Sequence, residues 1–399
     1  MHKKKNIDII ILYPYRFREF DRIRFEIECL KKEANVVIYE LIDAISPEFS
    51  PAYHTFDNGL DIERFSSVGN WRIAYENKVV MSKQKPYVIN FIPRTNIKDS
   101  FVNYIVSNSN VYIMEYNNPG IPDYLLELDS FLATYQRVKY AIKSKTISQF
   151  KYIFISKLIQ ILSKPFCRDS DFILVAGYKR EHENNRKIIH ANSFDYALYL
   201  NYINKSRKSD LCKDSIVFID GGGPLFSTDS LLTKGKYLLT IEKWYPAIRK
   251  YFDILEELTS HQVVIVAHPK HKFDSKTNKI FGNRRIVHGR TQEMIRNSKM
   301  VITRGSTATS FAVMYNKPII LIYSDEICQD NRQYNLIKFW SEELSCPFVN
   351  IDNPNFPHKY KSFPIINKKS YTEYRLKYLT SRGDSKTNCE VIMDQIINN

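Results

Sequence analysis

Basic and hydroxyl-bearing residues follow two short apolar segments in the second half of the chain. The segments are 262–267 and 299–303, and the residues that follow them are His268, Pro269, Lys270, Arg304, Gly305, Ser306 and Thr307. Imidazole, ammonium, guanidinium and hydroxyl groups all donate hydrogen bonds to anions. Ligands of parallel sheets lie at the carboxyl ends of the strands, so the pattern predicts a phosphate-binding edge there.

The stretch from Arg304 to Ser310 has two interpretations. It stands between a predicted strand and a predicted helix, where hydroxyls and free backbone N–H groups form an anion site. The alternative is that Ser306 or Thr307 only caps the helix. Four of the five residues after Gly305 carry a hydroxyl. A cap needs one hydroxyl, so this density favours phosphate binding.

His268 ends an apolar strand, where Pro269 stops the ladder and Lys270 adds positive charge. A histidine at this edge binds a phosphate or acts as a general acid toward a leaving group. A lone histidine at a strand end more often bonds a backbone carbonyl. The neighbouring charge and the hydroxyl-rich loop favour a functional role for His268.

Two carboxylates are candidates for a catalytic base. Asp220 precedes Gly221 and Gly222 after a predicted strand, and these glycines let the backbone approach a ligand closely. A plain turn with a capping aspartate is the alternative, since neither GxGxxG nor a Walker loop is present. Glu115, at the end of a strand in the first half, is an equal rival.

A further pair, Arg290 and Thr291, precedes a short predicted helix. These two residues either cap that helix or contact a nucleotide.

Strands and helices alternate through both halves of the chain, which predicts parallel sheets with right-handed crossovers. The fold class is therefore expected to be α/β, with two Rossmann-like domains facing across a cleft. We expect one domain over 1–205, a second, ligand-binding domain over 206–370 and a helical tail over 371–399 that crosses back onto the first domain. A polar, charged stretch near 200–213 suggests the boundary.

Length and composition support a folded chain with two cores. The 399 residues exceed the size at which single cores stop growing. Hydrophobic residues make up 44%, and only 12 residues are glycine, which argues against disorder. The six cysteines are scattered without a CxxC pair, so they are expected to be reduced thiols. No signal peptide or long apolar span is apparent in the sequence.

A formal net charge of +15 implies an anionic partner. Between Ser130 and Arg168 the chain has eight Lys or Arg residues and no Asp or Glu. Within that segment, apolar residues recur at helical spacing, as in a basic amphipathic helix. The helix either packs on its own domain or docks on an anionic membrane surface, and both interpretations remain open. Nucleic acid is not an expected partner, since no DNA- or RNA-binding motif occurs.

The second half resembles GT-B glycosyltransferases, and among them bacterial enzymes that use CMP-activated acidic sugars, such as sialyl-, polysialyl- and Kdo transferases. In those sialyltransferases a His-Pro pair and a Ser-Ser or Ser-Thr pair hold the nucleotide phosphate, and His268-Pro269 and Ser306-Thr307 match them. Their acidic-acidic-Gly motif lies in the first domain. Here Asp220-Gly221 has one acid and lies in the predicted second domain, which leaves the base and the stereochemistry open.

The resemblance implies transfer of a nonulosonic-type acidic sugar from a CMP donor onto a bacterial surface glycan, in capsule, lipopolysaccharide or lipooligosaccharide. His268 and either Asp220 or Glu115 would be catalytic. The donor would contact Pro269, Lys270, Gly221, Gly222, Arg290, Thr291, Arg304, Gly305, Ser306 and Thr307. No cofactor or metal is expected, because CMP has one phosphate that basic side chains neutralise. The enzyme would be cytoplasmic and bound peripherally to the inner face of the cell membrane.

Two alternatives remain. One is a GT-B transferase that uses a UDP-sugar or CDP-glycerol. The other is a non-catalytic basic scaffold that binds membrane or RNA through residues 130–168.

Overall fold

The chain divides into two compact units in the computed structural model. The first unit comprises Met1–Pro119, Phe150–Leu198 and Thr380–Asn399, and the second comprises Gly120–Gln149 and Tyr199–Leu379. The residues that the structure describes are 6–52, 62–117, 120, 122, 147–178, 187–205, 213–225, 239–268, 277, 279–353, 363–381 and 386–398.

The first unit contains a parallel sheet with strand order β3-β2-β1-β4-β5-β6-β7. Its strands are β1 (Asp8–Tyr13), β2 (Asn35–Glu40), β3 (Ile62–Arg64), β4 (Tyr87–Asn90), β5 (Tyr112–Asn117), β6 (Phe172–Ala176) and β7 (Lys187–Ala191). The described helices through residue 205 are α1 (Glu19–Arg24), α2 (Ile27–Glu33), α3 (Ile42–Ile45), α4 (Val68–Met81), α5 (Ile97–Ser107), α6 (Ile147–Ser163) and α7 (Phe194–Lys205).

The side chains of β1 alternate between the two faces of the sheet, as its interior position requires. Ile9 and Ile11 pack into the apolar cluster on one face of the sheet, and Ile10 and Leu12 pack into the cluster on the other face. A strand covered on both faces needs a continuous apolar run, and all six of its residues are buried.

The second unit contains a six-stranded parallel sheet with strand order β10-β9-β8-β11-β12-β13. Its strands are β8 (Ile216–Ile219), β9 (Val263–Val266), β10 (Ile286–Val287), β11 (Met300–Thr303), β12 (Ile319–Tyr323) and β13 (Phe348–Asn350). Its helices are α8 (Ile241–Thr259), α9 (Thr291–Asn297), α10 (Thr309–Met314), α11 (Asp325–Cys328), α12 (Asn331–Leu344) and α13 (Lys368–Tyr374). The predicted fold class of two Rossmann-like α/β domains is confirmed.

The last helix, α14 (Asn388–Ile397), belongs to the first unit. A capping box between Thr387 and Glu390 starts it. Its Cys389 forms a disulfide with Cys29 on α2, with the two Cα atoms 6.2 Å apart. The expectation that all six cysteines are reduced thiols is therefore wrong for this pair. These two residues are 360 positions apart, so no local pattern indicates their contact.

Helix α6 confirms the predicted basic helix from Ile147 onward, and residues 130–146 lie outside the described part of the chain. Among the helices that the structure describes, none combines the length and apolar character needed to cross a membrane.

Candidate functional site

The order of strands in the second unit identifies one edge of its sheet as a ligand site. The chain starts this sheet at β8, continues outward to β9 and β10, and then returns to the other side of β8 as β11. The direction of the crossovers therefore changes between β8 and β11. In open α/β sheets a crevice forms at the carboxyl ends of two such strands. The loops after β8 and β11 are Asp220–Gly223 and Arg304–Ser306.

The loop after β8 is packed closely against the start of helix α8. Asp220 is 3% exposed, and its Oδ1 accepts a hydrogen bond of 3.1 Å from the Gly222 N–H. Gly223 has a φ of +42°, and a Cβ built on it would stand 2.8 Å from the hydroxyl oxygen of Tyr245. A side chain at this position would displace Tyr245, so the loop requires glycine there.

Arg304 extends from the neighbouring loop toward these glycines. A Cβ built on Gly221 would stand 3.5 Å from Nη2 of Arg304, so the guanidinium lies directly beside the bare backbone of that residue. The guanidinium carbon also lies 5.3 Å from the ring centre of Trp244, which is 2% exposed. Contact with the indole thus orients the guanidinium at the carboxyl edge of the sheet, beside the glycines after β8. A planar guanidinium in such a position suits a phosphate or a carboxylate.

The hydroxyls after β11 serve their own loop in this structure. The Gly305 N–H donates to Oγ1 of Thr303 at 3.2 Å, and the Ala308 N–H donates to Oγ of Ser306 at 3.3 Å. The Ser306 N–H donates to Oγ1 of Thr309 at 3.4 Å. The local role considered for Ser306 is thus visible, although the helix N-cap is Ala308. Contact of Ser306 and Thr307 with a phosphate remains a prediction.

His268 lies two residues past the end of β9, half-buried, on the strand next to β8. Its predicted neighbours Pro269 and Lys270 lie outside the described residues. Because β9 and β8 are adjacent, His268 and Asp220 follow neighbouring strands at the same edge.

The predicted pair Arg290 and Thr291 follows β10 and lies farther along that edge. Arg290 holds Glu293 through two hydrogen bonds of 2.7 and 2.5 Å, and Thr291 begins helix α9. Arg290 is the N-cap residue of α9 by position but makes no side-chain capping hydrogen bond, and contact of this pair with a nucleotide remains a prediction.

Glu115 is not part of this edge. It is a half-buried residue of β5 in the first unit, paired in register with Ile173 of β6. Its role as a base remains a prediction.

Sequence reasoning missed the part that Trp244 and Tyr245 have in shaping the site. The apolar spacing of helix α8 predicts only a core position for Trp244, and the residue is buried there. The signal was present in an adjacent Trp-Tyr pair in the first turns of the helix that follows the glycine-rich loop. Nothing in the spacing, however, indicated that Arg304 would reach this indole.

A cavity of about 960 Å³ opens at the opposite, amino-terminal edge of the same sheet, beside Asp214 and Val263. The buried cation in its lining, Arg284, is paired at 2.6 Å with both Asp253 and Glu256. The charge of this guanidinium is thus matched by carboxylates of the same unit. In the described part of the chain, no cluster of three His, Cys, Asp or Glu residues is placed to hold a metal ion.

No model of a known protein family matches the chain, and no curated protein matches its sequence. Solved structures match its fold. The UDP-GlcNAc 2-epimerase from Methanocaldococcus jannaschii aligns with a TM-score of 0.52 at 12% identity, over 98% of this chain and 100% of that one. Another UDP-N-acetylglucosamine 2-epimerase gives 0.51 at 11% identity, over 99% and 96% of the two chains.

The calicheamicin glycosyltransferase CalG4 gives a TM-score of 0.50 at 8% identity, over 94% of this chain and 93% of that one. At these identities the similarity shows the fold, which is of the GT-B type.

Proposed function

We propose that the protein is a glycosyltransferase whose nucleotide-sugar donor binds at the carboxyl edge of the second unit, over the loops after β8 and β11. The observation that carries the proposal is the guanidinium of Arg304 beside Gly221 at the point where the crossover direction changes. A charged donor of hydrogen bonds beside bare backbone suits the phosphate of a nucleotide. The similarity of fold to a glycosyltransferase and to enzymes named for UDP-GlcNAc supports the same class of ligand.

The proposed chemistry follows from these groups. An acceptor hydroxyl oxygen attacks the anomeric carbon, and the bond from that carbon to the phosphate oxygen breaks, so the nucleotide leaves with the electron pair. Arg304 would stabilise the negative charge that develops on the phosphate. His268 would donate a proton to the leaving oxygen, or hold it by a hydrogen bond. Asp220 or Glu115 would take the proton from the acceptor hydroxyl.

The donor that we propose is a CMP-activated, nonulosonic-type acidic sugar, and the acceptor is a bacterial surface glycan. Support comes from the His268-Pro269 and Ser306-Thr307 pairs at the ends of β9 and β11. Such a donor carries one phosphate and one carboxylate, and each matches a guanidinium or imidazole rather than a metal ion. Independence from metal ions is part of the proposal.

A UDP-sugar is the second candidate donor. The observation that favours it is the fold match to two enzymes named as UDP-GlcNAc 2-epimerases.

The test is release of free nucleotide when the purified chain is mixed with a glycan acceptor and, in turn, a CMP-activated acidic sugar or a UDP-sugar. The proposal predicts acceptor-dependent release of CMP that persists in a metal chelator. Release of UDP alone would overturn the choice of donor, and acceptor-independent or absent release would overturn the transferase. Asp220→Asn and Glu115→Gln, measured side by side, identify the base as the variant that loses turnover at unchanged melting temperature.

A further inference from the structure

Helix α6 turns an apolar face toward solvent. Phe154, Leu158, Ile161 and Leu162 are 62, 42, 67 and 60% exposed. Their spacing of four, seven and eight residues places them on one face of a helix. Phe166, just after the helix, is 66% exposed and extends the apolar surface. A contiguous apolar face of this kind in water usually marks an interaction surface.

The same helix turns a polar residue inward. Ser156 is only 8% exposed, and no hydrogen-bond partner of its hydroxyl lies among the described residues. A helix that packs on its own domain normally buries its apolar side and exposes its polar side. Here the arrangement is reversed around Ser156. More than half of the surface of Phe154, Ile161 and Leu162 is therefore left uncovered by the helix's own domain.

The charges around this face are positive. Lys151, Lys157 and Lys164 are exposed, and Lys157 donates a 3.1 Å hydrogen bond to the neutral amide of Gln160. Arg168 differs from them because it is held by the carboxylate of Asp171 at 2.8 Å and by two backbone carbonyls. In the described part of this segment, three lysines thus accompany the apolar residues, and the sequence has no acidic residue anywhere in 130–168.

This combination selects one kind of partner. Two copies of the face packed together would oppose lysines to lysines with no carboxylate between them, which disfavours a dimer through this surface. Nucleic acid would match the charge but offers little to bury four aliphatic and aromatic side chains. An anionic lipid surface matches both features, because lysines reach the headgroups while the apolar side chains enter the acyl boundary.

We propose that helix α6 lies in the surface of an anionic lipid bilayer, with Phe154, Leu158, Ile161 and Leu162 inserted and the three lysines among the headgroups. The proposal is independent of the donor and of the transferase activity. It would hold the enzyme beside lipid-linked acceptors.

The test is flotation of the full-length protein with vesicles of phosphatidylcholine alone or mixed equally with phosphatidylglycerol, without any nucleotide. Binding is expected to the mixed vesicles and to fall with salt. Combined replacement of Phe154, Leu158, Ile161 and Leu162 by serine should weaken binding by about tenfold or more, since each inserted side chain contributes to the partition. Combined replacement of the three lysines by glutamine should also weaken it, by about tenfold or more.

The matched control replaces Ile73, Val80 and Met81 by serine on helix α4, where they are 63, 83 and 79% exposed. This variant should bind like the unaltered protein. Melting temperatures check that every variant folds, which is expected because the replaced side chains are exposed. Equal binding by the α6 serine variant and the control would overturn the proposal, as would equal binding to both kinds of vesicle or none to either. A self-association in solution that the α6 variant abolishes would assign the face to a second copy instead.

Discussion

Replacement of Gly305 by alanine is expected to destabilise the second unit by about 2–4 kcal/mol. The φ of this residue is +94°, and a side chain in the positive-φ region costs roughly 1–2 kcal/mol. A Cβ there would also stand 3.3 Å from two ring carbons of Trp340. That ring is 2% exposed and fixed by a 2.9 Å hydrogen bond from its N–H to the Tyr374 hydroxyl. Displacing it adds an overpacking cost of about 1–2 kcal/mol.

Gly289→Ala is the matched control. Gly289 also has a positive φ, +69°, but no described atom lies within 4 Å of a Cβ built on it. Its free energy of unfolding should fall only by the conformational contribution, roughly 1–2 kcal/mol. The assay is urea unfolding followed by fluorescence, since Trp244 and Trp340 both lie in the second unit. The difference between the two losses measures the contact with Trp340, and equal losses would refute the reasoning.

Three further outcomes are expected. His268→Ala should lower turnover about 100-fold or more at nearly unchanged melting temperature, as for loss of a general acid, and parallel losses of turnover and stability would reduce His268 to a structural residue. Burial raises the pKa of Asp195 to about 6, against an opposing effect of Arg24. The folded state therefore favours the protonated carboxyl. The stability that this protonation contributes is lost as pH rises from about 4 through 6. The free energy of unfolding of Asp195→Asn, measured in urea, should therefore rise relative to that of the unaltered protein by up to about 3 kcal/mol between pH 4 and pH 7. A difference between the two proteins that does not change with pH would contradict this. Replacing Cys29 and Cys389 by serine should cost about 2–4 kcal/mol under oxidising conditions, and a reductant should abolish the difference between the two proteins.

The sequence predicted the central strands well because parallel strands buried on both faces are continuous runs of Val and Ile, as in β9 and β12. Three strands whose sequence lacks such a run, β3, β7 and β13, are outermost strands of their sheets. β3 has no buried residue, β7 exposes two of its five residues, and β13 has three residues. Such strands lack the apolar run because only part of their surface is covered.

The helical spacing of apolar residues over Phe17–Lys32 predicts one helix, whereas the structure has two, α1 and α2. The break falls at Glu26, which has a φ of +54° and accepts a 2.6 Å hydrogen bond from the Cys389 N–H through its carboxylate. The partner that holds this conformation lies at the other end of the chain. Local periodicity therefore gives no indication of the break.

The candidate site was predictable in its location but not in its contacts. Loop residues after β8, β9 and β11 share one edge because parallel strands end together, and this follows from the order of elements in the sequence. That Arg304 lies against Gly221 and Trp244, and that Arg290 is held by Glu293, depends on side-chain packing that spacing does not encode.

The most direct test of the central claim is the thermal shift of the unaltered protein and of Arg304→Ala with CMP, CDP, UDP and GDP, since a ligand that binds only the folded state raises the melting temperature. The account predicts that CMP raises the melting temperature of the unaltered protein most. It also predicts that CMP does not raise the melting temperature of Arg304→Ala. Without nucleotide, the melting temperature of this variant should equal that of the unaltered protein. No shift with any of the four nucleotides, or an equal shift in both proteins, would contradict a nucleotide site at Arg304.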